Sequence, residues 1–253
     1  MSVPLPEKTQ TAVVTGAARG FGAEAVRALH RAGFRVVITD VDPGEDAAAL
    51  ASELDLAGET AITATLDVTK PEDFQNVLDK CVERWGSVEV LVNNAARTAV
   101  QAVLDIEPAF FNEVMATNVG GTFAGCQIFG RHFKERGYGR LVNMASLAGQ
   151  NGGTATGAHY AASKGAILTL TKIFARDLAA FGVTCNAIAP GPMDTPVVRS
   201  VLGENIDAAR ASIPVGHLGD PVFVGELVAL LASPAASFVN GACWDVNGGI
   251  YMR

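Results

Sequence analysis

Tyr160 and Lys164 are the two side chains whose types and spacing most directly suggest acid–base chemistry. They stand four residues apart in His159-Tyr160-Ala161-Ala162-Ser163-Lys164, within a stretch that reads as helix, so they share one face. A free phenol has a pKa of about 10 and is a poor base at neutral pH. An ammonium held beside it favours the phenolate and moves the group toward the range where general acid–base catalysis works. The same lysine can donate to the ribose of a bound nucleotide. Such a pair also fits an ordinary exposed helix surface, so the rest of the chain has to decide.

A second group of residues offers a phosphate site. Thr15-Gly16-Ala17-Ala18-Arg19-Gly20-Phe21-Gly22 spaces its glycines GxxxGxG between an expected strand and an expected helix. Gly16 lets the chain turn off the strand, Gly20 lets backbone approach a pyrophosphate, and Gly22 lets the helix lie close to the sheet. The helix start then presents free N–H groups and a partial positive charge. Asp40 closes the second expected strand, where a dinucleotide site places a carboxylate on the adenosine ribose. Its charge would repel the extra phosphate of NADP, so NAD is the expected cofactor. Arg19 argues weakly the other way, because a guanidinium there can pair with a 2′-phosphate.

Apolar, β-branched runs alternate with amphipathic stretches along the chain. Strands are expected at Thr11–Thr15, Phe34–Asp40, Thr60–Leu66, Val88–Val92, Arg140–Met144, Val183–Ala189 and Ala242–Val246. Helices are expected at Phe21–Ala32, Pro43–Ala57, Pro71–Trp85, Gly157–Phe181 and Pro221–Leu231, with one long helix from Pro108 to Glu135. A looser segment covers Met193–Asp220. Apolar strands separated by helices imply a parallel sheet covered on both faces. The expected architecture is α/β, a single Rossmann-like doubly wound domain over residues 1–253, with a short substrate segment at 192–220.

Composition narrows the partners. Nineteen basic residues against twenty-six acidic give a net charge of −7, which disfavours nucleic acid and anionic membrane surfaces. No apolar run approaches the roughly 18 residues of a membrane span, and MSVPLPEKTQ lacks the basic and apolar parts of a signal peptide, so a cytoplasmic protein is expected. Cys81, Cys126, Cys185 and Cys243 are far apart in apolar contexts and read as reduced core thiols. His30, His132, His159 and His217 show no metal-ligand spacing, and no metal is expected.

With these motifs in order, the chain resembles the short-chain dehydrogenase/reductase family from Thr11 to Gly249. TGAARGFG is similar to that family's cofactor loop, and Asp67-Val68 to the pair that holds the adenine. Asn93-Asn94-Ala95-Ala96 resembles the family's Asn-Asn-Ala-Gly, and Pro190-Gly191-Pro192-Met193-Asp194-Thr195 the segment that clasps the nicotinamide. Asn118 and Ser146 resemble the asparagine and serine that complete a tetrad with Tyr160 and Lys164. The resemblance implies that Tyr160 exchanges the substrate proton, Ser146 holds the substrate oxygen, and Lys164 tunes Tyr160 and anchors the ribose. Asn118 is then expected to hold a water linking Lys164 to solvent. It also implies a homotetramer, or a dimer, built on long helices and the last strand. Two departures stand out: Ala96 replaces the motif's last glycine, and the Ser146-to-Tyr160 loop is slightly long.

The implied activity is NAD-dependent interconversion of a secondary alcohol and its ketone. The alternatives are NADP-dependent reduction of 3-oxoacyl thioesters, against which Asp40 weighs, and a non-catalytic nucleotide-binding regulator, against which the intact Ser/Tyr/Lys set weighs. The substrate pocket is expected between Ala96–Val100, Leu147–Gly157 and the residues after Pro190. Pro196, Val197, Val198, Val201 and Leu202 are candidates for an apolar lid, and Arg97 and Arg199 for binding a substrate carboxylate.

Overall fold

The computed structural model describes residues 9–153, 156–195, 198–199 and 203–253. Seven parallel strands form one sheet: β1 (Thr11–Thr15), β2 (Arg35–Asp40), β3 (Ala61–Thr65), β4 (Val90–Asn93), β5 (Gly139–Met144), β6 (Val183–Pro190) and β7 (Cys243–Val246). Their spatial order is β3-β2-β1-β4-β5-β6-β7, so the winding reverses between β1 and β4. Ligands of open parallel sheets bind outside the carboxyl ends of the strands at such a reversal. Thr15, Asp40, Asn93, Met144 and Pro190 all end strands at that edge.

Helices cover both faces because successive strand residues point to opposite sides. Val14, Val36 and Ile38 join one apolar cluster with Val26 and Leu29 of α1 (Gly20–Arg31) and Val224 and Val228 of α9 (Pro221–Ala232). Val13, Val37 and Leu91 join the other, with Phe74 of α3 (Pro71–Trp85) and Phe129 and Phe133 of α5 (Gly121–Arg136). Burying each such aromatic stabilises the fold by about 2–3 kcal/mol. Proline opens α3 where its missing N–H costs nothing, and Asp220 caps α9 by accepting the Val222 N–H at 2.9 Å. On the β2–β3 side of the sheet, α2 (Gly44–Leu54) packs against both strands.

Several boundaries differ from the sequence expectation, and one difference matters. The long helix expected from Pro108 to Glu135 is α4 (Pro108–Met115), a π turn at Ala116–Gly120, and then α5. A π turn inserts a residue without redirecting the helix, so the apolar pattern runs through it unmarked. The insertion carries Asn118 into the interior, where it is fully buried. The Ser146-to-Tyr160 loop contains a short helix, α6 (Ala148–Asn151), and α7 runs Ala158–Leu178 before a tight turn at Ala179–Phe181. The looser segment holds a turn at Gly203–Asn205 and α8 (Ile206–Ala211). Of the expected lid, Pro196, Val197, Val201 and Leu202 lie outside the described residues.

Candidate active site

The glycine turn has the geometry its sequence requires. Gly16 and Gly20 have φ of 61° and 60°, a region that side chains disfavour. A Cβ at Gly16 would lie 2.8 Å from the Ala95 Cα, whereas one at Gly20 would meet nothing within 4 Å. Open space therefore faces the start of α1, whose cap residue Arg19 makes no side-chain hydrogen bond to the helix. Free N–H groups beside such a space suit a pyrophosphate. Gly22 lets α1 sit against the turn, since a Cβ there would collide with the Gly16 carbonyl. Phe21 packs on the apolar cluster beneath.

Asn94 holds this turn in place. Its amide donates to the carbonyls of Thr15 and Gly16 at 2.9 and 2.8 Å, and the Thr15 hydroxyl accepts the N–H groups of Asn94 and Ala95 at 3.0 and 3.1 Å. Asp40 stands alongside and accepts from the N–H of Val41 at 2.9 Å and of Ala18 at 3.4 Å. The Asp67 carboxylate closes its own turn by accepting from the Thr69 hydroxyl and N–H at 2.7 and 3.0 Å. Those bonds, with Lys70 nearby, hold it below the usual carboxylate range. Val68 is buried against Gly121. Ala96 is exposed, so the methyl that departs from the motif meets no crowding.

At the end of β6, the Pro190 carbonyl accepts the Leu147 N–H at 3.0 Å, and the Gly191 N–H donates to Val246 at 2.8 Å. Met193 is buried and bridges to Gly219, and the Thr195 N–H turns back to its carbonyl at 2.9 Å. These residues fit the dinucleotide site that the motifs imply: a pyrophosphate cradle, a ribose carboxylate and a clasp beyond β6 share one sheet edge.

Tyr160 and Lys164 lie in the first two turns of α7 at the same edge. Lys164 is 3% exposed; its Nζ donates to the Met144 carbonyl at 2.6 Å and lies over the Tyr160 ring, 5.6 Å from its centroid. Among the described residues no carboxylate pairs with it, and burial pulls its pKa to about 8. Burial also raises the Tyr160 phenol, while a hydrogen bond from the Ser146 hydroxyl acts in the opposite direction. The expected lowering by the ammonium is thus not the governing effect. The ammonium is held by a carbonyl at the end of β5 and faces the ring, and desolvation of the phenol dominates. Ser146 is set by α6, whose Ala148 N–H donates to its Oγ at 3.1 Å.

Asn118 is tied into the protein through both ends of its amide. Its Oδ1 accepts the Arg97 N–H at 2.7 Å, and its Nδ2 donates to the Arg97 carbonyl at 3.0 Å and to Ser163 Oγ at 2.9 Å. The Ser163 hydroxyl in turn donates to the Tyr160 carbonyl at 2.7 Å. Both amide protons go to protein acceptors, which leaves oxygen lone pairs to hold the expected water. The side chain also braces the loop after β4 against α7. Arg97 pairs with Glu113 at 3.2 Å and lies on the Phe110 ring, and Arg199 pairs with Asp194 at 2.7 Å. Both arginines expected to await a substrate carboxylate already hold one from the chain.

Two features escape a reading of the sequence. One is His159, fully buried, with Nδ1 accepting the Tyr160 N–H at 2.7 Å. Its only sequence signal is the Gly157 two residues earlier, which makes room for the ring. The other is a buried polar ladder in which Asn93 Nδ2 donates to Asn143 Oδ1 at 2.9 Å and Asn143 Nδ2 to Thr171 Oγ1 at 3.0 Å. Here the signal was available: an asparagine in each of two apolar strands, facing each other once those strands pair.

Fold and site define a dinucleotide-dependent enzyme, and comparison with known proteins agrees. The family profile described as Enoyl-(Acyl carrier protein) reductase matches residues 16–251. The chain is 35% identical to 3-oxoacyl-[acyl-carrier-protein] reductase FabG of Vibrio cholerae serotype O1, over 96% of this chain and 98% of that one. It is 38% identical to cis-4-hydroxycyclohexanecarboxylate dehydrogenase of Sinomonas cyclohexanicum, over 95% and 96%. Among solved structures, a variant of actinorhodin polyketide ketoreductase with NADPH superposes with a TM-score of 0.89 at 34% identity, covering 96% of this chain and 97% of that one. The chain belongs to the short-chain dehydrogenase/reductase family. It is an oxidoreductase that uses a nicotinamide dinucleotide. Among the described residues no helix is long and apolar enough to cross a membrane.

Proposed function

We propose that this protein interconverts a secondary alcohol and its ketone with NAD, using Tyr160 as general acid and base. The observation that carries the reading is the placement of Tyr160, Ser146 and the buried Lys164 ammonium at the sheet edge that holds the glycine turn. The nicotinamide supplies the hydride chemistry when bound. Ser146 holds the substrate oxygen, and Tyr160 gives or takes its proton. Lys164 supplies a fixed positive charge beside the phenol, and Asn118 and Ser163 keep the Tyr160 backbone in register. The Asp40 carboxylate beside the turn supports NAD, because a 2′-phosphate would meet it at close range. The Sinomonas relative, named for a ring alcohol, supports the substrate class.

A second reading is an NADP-dependent reductase of 3-oxoacyl thioesters. The Vibrio relative's name and the ketoreductase with NADPH favour it, as does the exposed Arg19 beside the turn. Turnover of a panel of ring alcohols, linear ketones and 3-oxoacyl thioesters with NADH and NADPH separates the two. NADH-dependent turnover of simple ketones supports the first reading; turnover of thioesters alone with NADPH replaces it by the second. We further propose a homotetramer. Phe123 of α5 and Ile173 of α7 are exposed, and β7 pairs on one side only; a monomer by light scattering would refute it.

A further inference from the structure

We propose that His159 is a positioning residue that sets the Tyr160 hydroxyl through the backbone of α7, a role that rests on Tyr160 being the acid/base. The first four N–H groups of any helix lack partners within it. At α7 the cap is Gly157, which has no side chain to offer, and the Tyr160 N–H is one of these orphans. That N–H is shared between the Gly157 carbonyl at 3.1 Å and His159 Nδ1 at 2.7 Å. The imidazole replaces the missing cap from inside the first turn. An accepting Nδ1 requires the tautomer with the proton on Nε2.

The ring has little freedom. It meets Phe110 of α4 edge to face, with centroids 5.2 Å apart at 76°. On the other side a Cβ at Gly157 would collide with the imidazole. The Nε2 atom is buried and without a partner among the described residues, which a purely structural filler would avoid by being apolar. Tyr160 is therefore held at both ends of its peptide, its N–H by His159 and its carbonyl by Ser163 and, behind that, Asn118. A catalytic side chain displaced by about 1 Å loses on the order of a hundredfold in rate, so a hydrogen bond to its own backbone is placed where small shifts matter.

Asparagine and glutamine separate this role from simple packing. Asn places Oδ1 where Nδ1 stands; Gln places its polar group near Nε2. We expect His159→Gln and His159→Leu to lower kcat about tenfold or more with KM and dinucleotide affinity within about twofold, and His159→Asn to recover most of that loss. Equal kcat in His159→Asn and His159→Gln, or wild-type kcat in His159→Gln, overturns the proposal. Tyr160→Phe is assayed alongside: if it keeps turnover, the acid/base reading falls and this one with it, whereas an inactive Tyr160→Phe beside a fully active His159→Gln removes only the role of His159. Should the His159 variants not fold, nitrogen NMR of the wild-type histidines still decides. A ring protonated on Nε2 alone is required, and a proton on Nδ1 refutes it.

Discussion

Lys164 carries the sharpest quantitative test, because its ammonium is buried against the Met144 carbonyl. Burial lowers its pKa from 10.5 to about 8. Between those values the unfolded chain keeps the proton and the folded chain has lost it, so stability attributable to this group rises with pH. Linkage gives a rise on the order of 1 kcal/mol from pH 7 to pH 9 and about 2–3 kcal/mol by pH 10. The buried thiols act in the opposite direction: Cys81 and Cys243 are pushed up to about 12, so their unfolded forms ionise first and stability falls as pH rises through the alkaline range. The variant Lys164→Met keeps the length and apolar stem while removing the charge, and the thiols cancel in the comparison. Urea unfolding of both proteins without dinucleotide, from pH 7 to pH 10, should show the wild type gaining on the variant by the amounts above. A difference that stays flat across that range would show that Lys164 titrates near 10.5 and is not desolvated.

Three further outcomes follow from the same geometry. Tyr160→Phe should keep dinucleotide affinity and lower kcat by about 10²–10⁴-fold, read by fluorescence titration and steady-state rates. Asp40→Ser should raise kcat/KM with NADPH relative to NADH by about tenfold or more, since one like-charge contact is removed; an unchanged ratio would mean Asp40 does not reach the ribose. Arg140 is 2% exposed, donates to the carbonyls of Gly139, Gly182 and Ser233 and lies 4.3 Å over the Tyr138 ring. Arg140→Leu should cost about 2–4 kcal/mol in urea unfolding without changing kcat, because it strands carbonyls at two helix ends far from the site.

The sheet and the motif residues were legible because each rests on local rules. Apolar runs such as Thr11–Thr15 and Val183–Ala189 announce strands buried on both faces, and the glycines of the turn announce a backbone that side chains disfavour. The dinucleotide motifs lie at strand ends, and a parallel sheet gathers strand ends on one edge. What the sequence left dark depends on contacts between distant segments. The π turn has no compositional mark, and the brace from Asn118 to Arg97 and Ser163 exists only once that turn, α7 and the loop after β4 meet. The pairing of Arg97 with Glu113 and of Arg199 with Asp194 is likewise a matter of which carboxylate the fold delivers. The expected effect of Lys164 on Tyr160 went astray for a related reason. Helical spacing shows that two groups share a face but not how dry that face is, and here desolvation outweighs attraction.

That dryness bears on how the proposed chemistry proceeds. With the phenol protonated and the lysine charged, the site buries an ammonium whose one strong partner among the described residues is the Met144 carbonyl, a costly arrangement at low dielectric. When Tyr160 passes its proton to a substrate oxygen, a phenolate forms beside that ammonium and the buried charge gains its counter-ion. The interaction grows as the proton leaves, so it favours the product of proton transfer over the resting site, which is the condition for lowering a barrier. The raised phenol and the depressed ammonium therefore work as one device: burial keeps the acid protonated until it acts, and leaves the cation unpaired until the act supplies its partner. Lys164 loses its proton at about 8, before the raised phenol ionises, so wild-type kcat for ketone reduction should fall as pH rises through about 8, and Lys164→Met should show a lower kcat without that limb. A variant that keeps the same limb would mean the ammonium is not felt at the phenolate oxygen.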